Sequence, residues 1–145
     1  MRVQNMAGHL IRRLNQVSTH IFAKQMQATG YDLTPVQFAA MDAIASCPGI
    51  DQAGVAAKIA YDRATIGGVI DRLDQKGYVT RSVSARDRRA REVRLTEKGQ
   101  GLFEEVLPLV ERMQGEMLQA LTPQEHAAFL DLARKALGKS APDLA

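Results

Sequence analysis

Two short runs with β-branched residues in near-alternation, "YVTRSV" at 78–83 and "REVRL" at 91–95, enclose an arginine-rich segment at 84–90. From position 81 to position 94 there are six arginines (Arg81, Arg86, Arg88, Arg89, Arg91 and Arg94) against two acids, Asp87 and Glu92. That is a local charge of +4 in a chain whose total is +3. Crowded like charges repel, which excludes a buried location and leaves a solvated tail or a surface built to meet a polyanion. The strand-like flanks favour a hairpin with a charged tip over a flexible loop.

The rest of the chain reads as helices. Apolar residues at 6, 10, 14, 17 and 21 fall on one stripe and predict a long amphipathic helix from Met6 to Met26. In "YDLTPVQF", Thr34 can cap, Pro35 suits the first helical position and Gln37 completes a capping box, so a second helix should run from 34 to about 45. Pro48-Gly49 ends it. Asp51 can cap a short third helix to Lys58, in which Ala53, Gly54, Ala56 and Ala57 permit close packing. Asp62 is placed to cap a fourth. Its Ile66, Val69, Ile70 and Leu73 share a buried face, its Arg63, Thr65, Gly67, Gly68, Asp71 and Arg72 face outward, and Gly77 closes it. Beyond the hairpin, Thr96 caps a long helix carrying apolar residues from Leu102 to Leu121, with Pro108 expected to kink it without ending it. Thr122, Pro123 and Glu125 repeat the start signal for a last helix to about Leu137.

This is a mainly α chain with one small β-hairpin (α+β), and 145 residues suit a single domain. No run approaches the roughly 20 apolar residues needed to span a bilayer, and the N-terminus has no export-signal core, so a cytoplasmic protein without membrane contact is expected. The one cysteine, Cys47, supports no disulfide framework, and no Cys/His spacing suggests a metal; no metal or cofactor is expected. Cys47 is a small buried residue or a redox switch, and its place before Pro48 at a helix end favours the former. His9, His20 and His126 pair with no nucleophile, which argues against an enzyme with catalytic residues. "LGKS" at 137–140 ends like a phosphate loop, but Ala133 stands where that motif needs glycine.

Two closely spaced helices followed by a hairpin is the element order of a winged helix-turn-helix, whose second helix enters the major groove of DNA. The residues "VAAKIAYDRATIGGVIDRLDQKGYVTRSVSARDRRAREVRLTEKG" at 55–99 resemble the core of the MarR family of bacterial transcription regulators, with Asp62-Arg63-x-Thr65, "DRLDQKG", "DRR" and "RLTEKG" in the family's order and spacing. The resemblance implies a homodimer held by a helical region at 1–33 and 100–145. A winged region at 34–99 would then bind a palindromic operator in double-stranded DNA, most often as a repressor. It further implies that Asp87 orients a neighbouring arginine such as Arg72 while Arg89 reaches DNA. Where family members often carry Ser, Ser and Arg, this chain has Ala64, Gly67 and Gly68, and Ser84-Ala85 replaces a frequent Asp-Pro. The glycines either allow close backbone approach to DNA or relieve packing elsewhere.

Arginine suits a narrow minor groove because its planar, weakly hydrated charge gains from the strong negative potential there. Arg86, Arg88 and Arg89 are the candidates at the tip, and Arg63 is the first choice for reading a guanine. Ligand control is typical of the family. On the first helix His9, Arg13, Gln16 and His20 border the apolar stripe and would suit a small aromatic or other organic anion, although a solvated helix edge or subunit contacts explain them as well. The alternative function is a protein-interaction adaptor that kept the winged fold and lost DNA binding.

Overall fold

Helix starts are set by side-chain oxygens that take up otherwise unpaired amides. The computed structural model describes residues 2–138, so Lys139 and Ser140 of the "LGKS" tetrapeptide lie outside the described residues. A short 3-10 turn (Arg2–Asn5) leads into α1 (Ala7–Thr29), which ends on Gly30 in the left-handed region at φ 79°. Before α2 (Pro35–Ser46) the capping box forms in full: Thr34 Oγ1 accepts from the Gln37 amide at 3.2 Å, and Gln37 Oε1 accepts from the Thr34 amide at 3.3 Å. Asp51 caps α3 (Gln52–Lys58) through the Gly54 amide at 2.7 Å. Thr96 caps α5 (Glu97–Met117), and the second capping box, Thr122 with Glu125, starts α6 (Pro123–Ala136). α5 runs through Pro108 as one helix.

One start differs from expectation. α4 spans Ile66–Gln75, so Arg63, Ala64 and Thr65 form a turn ahead of it rather than its first turn. Asp62 closes that turn: its carboxylate accepts from the Ala64 amide at 3.1 Å, and its carbonyl accepts from the amides of Thr65 at 3.1 Å and Ile66 at 3.0 Å. Thr65 occupies the capping position, but its hydroxyl donates back to the Asp62 carbonyl at 3.2 Å and caps nothing. At the far end Gly77 is left-handed, with its amide on the Asp74 carbonyl and that of Tyr78 on the Leu73 carbonyl, both at 2.9 Å. Such a double bond closes a helix on glycine.

The hairpin pairs β1 (Val79–Val83) antiparallel with β2 (Arg91–Leu95), Arg81 opposite Val93. It is tied to the helices by a bond from the Val93 amide to the Ile50 carbonyl at 2.9 Å, just before α3. α2, α3, α4 and the hairpin close around Met41, Val55, Ile70, Leu73, Val79 and Val93, which are essentially inaccessible to solvent. Burying each large apolar side chain contributes about 1.5–3 kcal/mol. The same buried cluster takes in Phe22 and Met26 of α1 and Phe103, Val106 and Met113 of α5, so packing is continuous across residue 34 and residue 99. Phe38 stacks on Phe103 with ring centroids 5.5 Å apart, joining α2 to α5.

The periphery is different. Of the predicted stripe on α1, Met6, Leu10, Leu14 and Val17 stand exposed and Ile21 is half-buried, while the residues the helix buries are Phe22 and Met26. α6 buries no residue, and its Leu132 is 65% exposed. Cys47, expected to be buried, is half-buried at the end of α2.

Candidate nucleic-acid interface

α4 and the hairpin present one continuous surface. Ile66, Val69, Ile70 and Leu73 turn inward, which leaves Gly68, Asp71 and Arg72 exposed beside the exposed turn of Arg63, Ala64 and Thr65. The hairpin tip stands next to that turn. A cleft of about 520 Å³ between them is lined by Arg63, Arg89 and Arg91 together with Asp51, Gln52 and Asp87. Arg63 and Arg89, chosen separately from the sequence, thus share one cleft. Thr65, Gly68 and Arg72 line a second cleft of about 300 Å³ with Tyr61, Thr34 and Gln37. Of the expected site residues, Arg63, Asp87 and Arg89 thus line one cleft and Thr65, Gly68 and Arg72 another, while Arg86 lines a third, of about 620 Å³, with Pro48, Gly49 and Glu92.

The six clustered arginines divide by role. Arg81 follows Val79 by two residues and so shares its inward face on β1. Its guanidinium donates to Asp71 at 2.5 Å, to Asp74 at 3.1 Å and to Gln52 at 3.4 Å. Partial burial works against its charge, yet the hydrogen bonds to Asp71 and Asp74 and then their charges leave its pKa above the ordinary arginine value. Arg94 lies 3.7 Å from Glu92. Arg86, Arg88, Arg89 and Arg91 are exposed and, among the described residues, form no ion pair. The charge open to a polyanion is thus concentrated at the tip.

Asp87 does not orient Arg72. Its carboxylate accepts from the Arg89 amide at 2.9 Å and its carbonyl from the Ala90 amide at 3.0 Å, bonds local enough to keep it in the tip turn, while Arg72 lines the second cleft. Asp87 shapes the turn that presents Arg88 and Arg89. Ser84 supports it from below: its buried hydroxyl accepts from the amides of Arg86 at 3.2 Å and Asp87 at 3.4 Å and donates to Glu92 at 3.4 Å. A side-chain oxygen accepting amides two and three residues on is the turn chemistry that aspartate also offers, so Ser84 retains it.

Gly67 and Gly68 relieve no packing. A Cβ at Gly68 would meet nothing within 4 Å, and one at Gly67 would make only an ordinary 3.9 Å contact with Gln52. Sequence reasoning missed the bond between Ile50 and Val93 and the Arg81 hub. Asp71 and Asp74, three apart on a helix, facing an arginine on the inward register of the next strand were the available signal for the hub.

On α1, Arg13 donates to Gln16 at 2.7 Å and Arg12 to His9 at 3.2 Å, both on open helix surface, whereas His20 lines a cavity of about 270 Å³ with Lys24 and Glu116. Of the four candidate ligand residues, Arg13 and Gln16 thus meet directly, His9 bonds to Arg12, and His20 lines a separate cavity. Among the described residues no group of three or more His, Cys, Asp or Glu could hold a metal ion, and no helix is long and apolar enough to cross a membrane.

A helix pair, an outward-facing third helix and a flanking hairpin with an arginine tip define a winged helix-turn-helix protein. The profile of the MarR family matches residues 31–90. Over 135 residues the chain is 33% identical to the transcriptional regulator HosA of Escherichia coli, covering 93% of this chain and 97% of that one. It is 35% identical to the transcriptional repressor NicR of Pseudomonas putida, covering 92% and 83%. The structure of Bordetella bronchiseptica BpsR, described for regulation of its DNA binding by 6-hydroxynicotinic acid, superposes with a TM-score of 0.86 at 32% identity, covering 94% and 96%. The chain belongs to the MarR family and is a transcriptional regulator.

Proposed function

We propose that the chain acts as a homodimer on a palindromic operator in double-stranded DNA, as a repressor released by a small aromatic acid. α4 and the turn before it enter the major groove, with Arg63 on a base edge and Arg72 flanking it, while Arg86, Arg88 and Arg89 reach the adjacent minor groove. The observation that carries this reading is the set of four exposed arginines at and beside the hairpin tip, Arg86, Arg88, Arg89 and Arg91, which form no ion pair among the described residues, with Arg89 and Arg91 sharing a cleft with Arg63. An adaptor without DNA binding would gain nothing from holding four repelling charges together.

Dimerisation draws support from the apolar surface that one subunit leaves open on α1 and α6. NicR is named a repressor, and 6-hydroxynicotinic acid regulates the DNA binding of BpsR. An effector of that chemistry would settle beside His9, Arg13, Gln16 and His20 once a second subunit closes the surface. It would act only through unequal affinity for the DNA-competent and DNA-incompetent arrangements of the two wings.

The test is binding to the DNA upstream of the protein's own gene across a salt series. Each neutralised phosphate contributes about −0.9 to the log-log slope, and Arg89→Ala should weaken binding. Affinity that ignores salt, or no binding, favours the adaptor. Small aromatic acids, 6-hydroxynicotinic acid first, are then titrated into the complex; failure of all of them to release DNA removes the effector class from the proposal.

A further inference from the structure

α4 is a short rod. Ten residues at about 1.5 Å each make it about 15 Å long, and four apolar side chains along one face hold it by contacts that have no direction. Directed bonds must set its rotation and tilt: Arg81 ties Asp71 and Asp74 on its flank to the hairpin, and the others lie at its two ends. At the outer end these are the turn bonds to Asp62, which are local to the chain and follow the helix wherever it goes.

The inner end is tied to other elements through Lys76, directly after the last residue of α4. Its ammonium donates to the Asp32 carbonyl at 2.7 Å and to Gln37 Oε1 at 3.0 Å, with the Asp32 carboxylate 3.4 Å away. Gln37 is buried, and the same Oε1 closes the capping box of α2, so Lys76 is fixed to the loop between α1 and α2 and to the α2 start together. Its own carbonyl accepts from Lys98 Nζ at 3.1 Å, on the first turn of α5. One residue therefore joins the base of α4 to the loop between α1 and α2, to α2 and to α5. A methionine of similar length would fill the space, but it would supply no direction.

With α4 taken as the DNA-reading helix, as proposed above, we infer that Lys76 is a positioning residue for operator recognition. Its ammonium, seated on Asp32 and Gln37, sets the angle at which α4 leaves the protein body, without itself touching DNA. Contacts that discriminate bases need side chains held to roughly half an ångström, and a tilt at the base of a rod is carried in full to its far end.

The experiment measures operator affinity and thermal unfolding of wild type, Lys76→Met, Lys76→Arg, Lys76→Gln and Asp32→Asn over a salt series. If the wild type binds no operator, the DNA-binding reading fails and this inference goes with it. Given a binding wild type, Lys76→Met should lose affinity by roughly tenfold or more, the equivalent of one or two charge-assisted hydrogen bonds, with an unchanged salt slope. Lys76→Arg should recover most of the affinity. Asp32→Asn should bind like wild type, because the carbonyl acceptor survives. Lys76→Gln, with a shorter neutral donor, should lose an intermediate amount and decides the matter if the methionine variant does not fold. Wild-type affinity in folded Lys76→Met or Lys76→Gln overturns the inference. So does a slope shallower by about 0.9, which would mean that Lys76 contacts a phosphate.

Discussion

At the scale of single residues, three backbone positions carry predictions that contacts alone would not suggest. Ala60 sits at φ 54°, where it closes α3 with the Tyr61 amide on the Ala56 carbonyl at 2.9 Å. A left-handed alanine is strained by about 1 kcal/mol, so Ala60→Gly should raise stability, by up to that amount, in chemical denaturation. Gly99 is the opposite case: a Cβ there would lie 2.0 Å from the Tyr78 carbonyl oxygen, where α5 presses on the start of the hairpin. Gly99→Ala should destabilise by about 1–3 kcal/mol, because both crowded groups are backbone and neither can step aside. Gly68 tests function. With open space around it on a helix, Gly68→Ala should stabilise the fold by up to about 1 kcal/mol, yet weaken operator binding if the bare backbone is what approaches DNA. The needs of Gly99 and Ala60 were not legible in the sequence, since both depend on what a distant or following segment does. Asp62 was misread for a related reason: capping chemistry marks a turn correctly but leaves open whether the helix starts at once or three residues on.

At the scale of elements, most of the fold was legible because both capping boxes, the Asp51 cap, the closing glycines and the alternation of the hairpin are local devices, and here each formed as written. Less legible was how the elements are fixed to one another. Arg81 counted as one more positive charge, but it is spent on Asp71 and Asp74 and sets the hairpin against α4. Charge and geometry then predict opposite outcomes for one variant. Replacing both carboxylates, Asp71→Asn with Asp74→Asn, removes two negative charges from the DNA-facing helix, which by long-range attraction alone would tighten binding. It also releases Arg81. The expected result is weaker operator binding and faster amide exchange in β1 and β2, with a stability loss of about 1–2 kcal/mol, because a loosely held tip cannot keep its arginines in the groove. Tighter binding with unchanged exchange would reduce Arg81 to a bystander.

At the scale of the whole molecule, the decisive asymmetry is between a well-packed middle and poorly covered ends. Met6 just before α1, Leu10, Ile11, Leu14 and Val17 on α1 and Leu132 on α6 are between 40% and 66% exposed. Helices of this length gain most of their stability from burying an apolar face, so α6 with no buried residue needs something to pack against. A second copy is the economical answer, because a self-complementary face covers both ends at once. Helical periodicity predicted the stripes but could not reveal how much of each a lone subunit would cover, since the same pattern serves a core and an interface. Leu14→Asp combined with Leu132→Asp should therefore leave the packed middle folded while sedimentation shifts from dimer to monomer. Operator affinity should fall by more than two orders of magnitude, since linking two half-sites is worth roughly 10² or more. A wild type that sediments as a monomer at micromolar concentration, or a doubly charged variant that still binds a full operator, would mean that the ends are covered some other way.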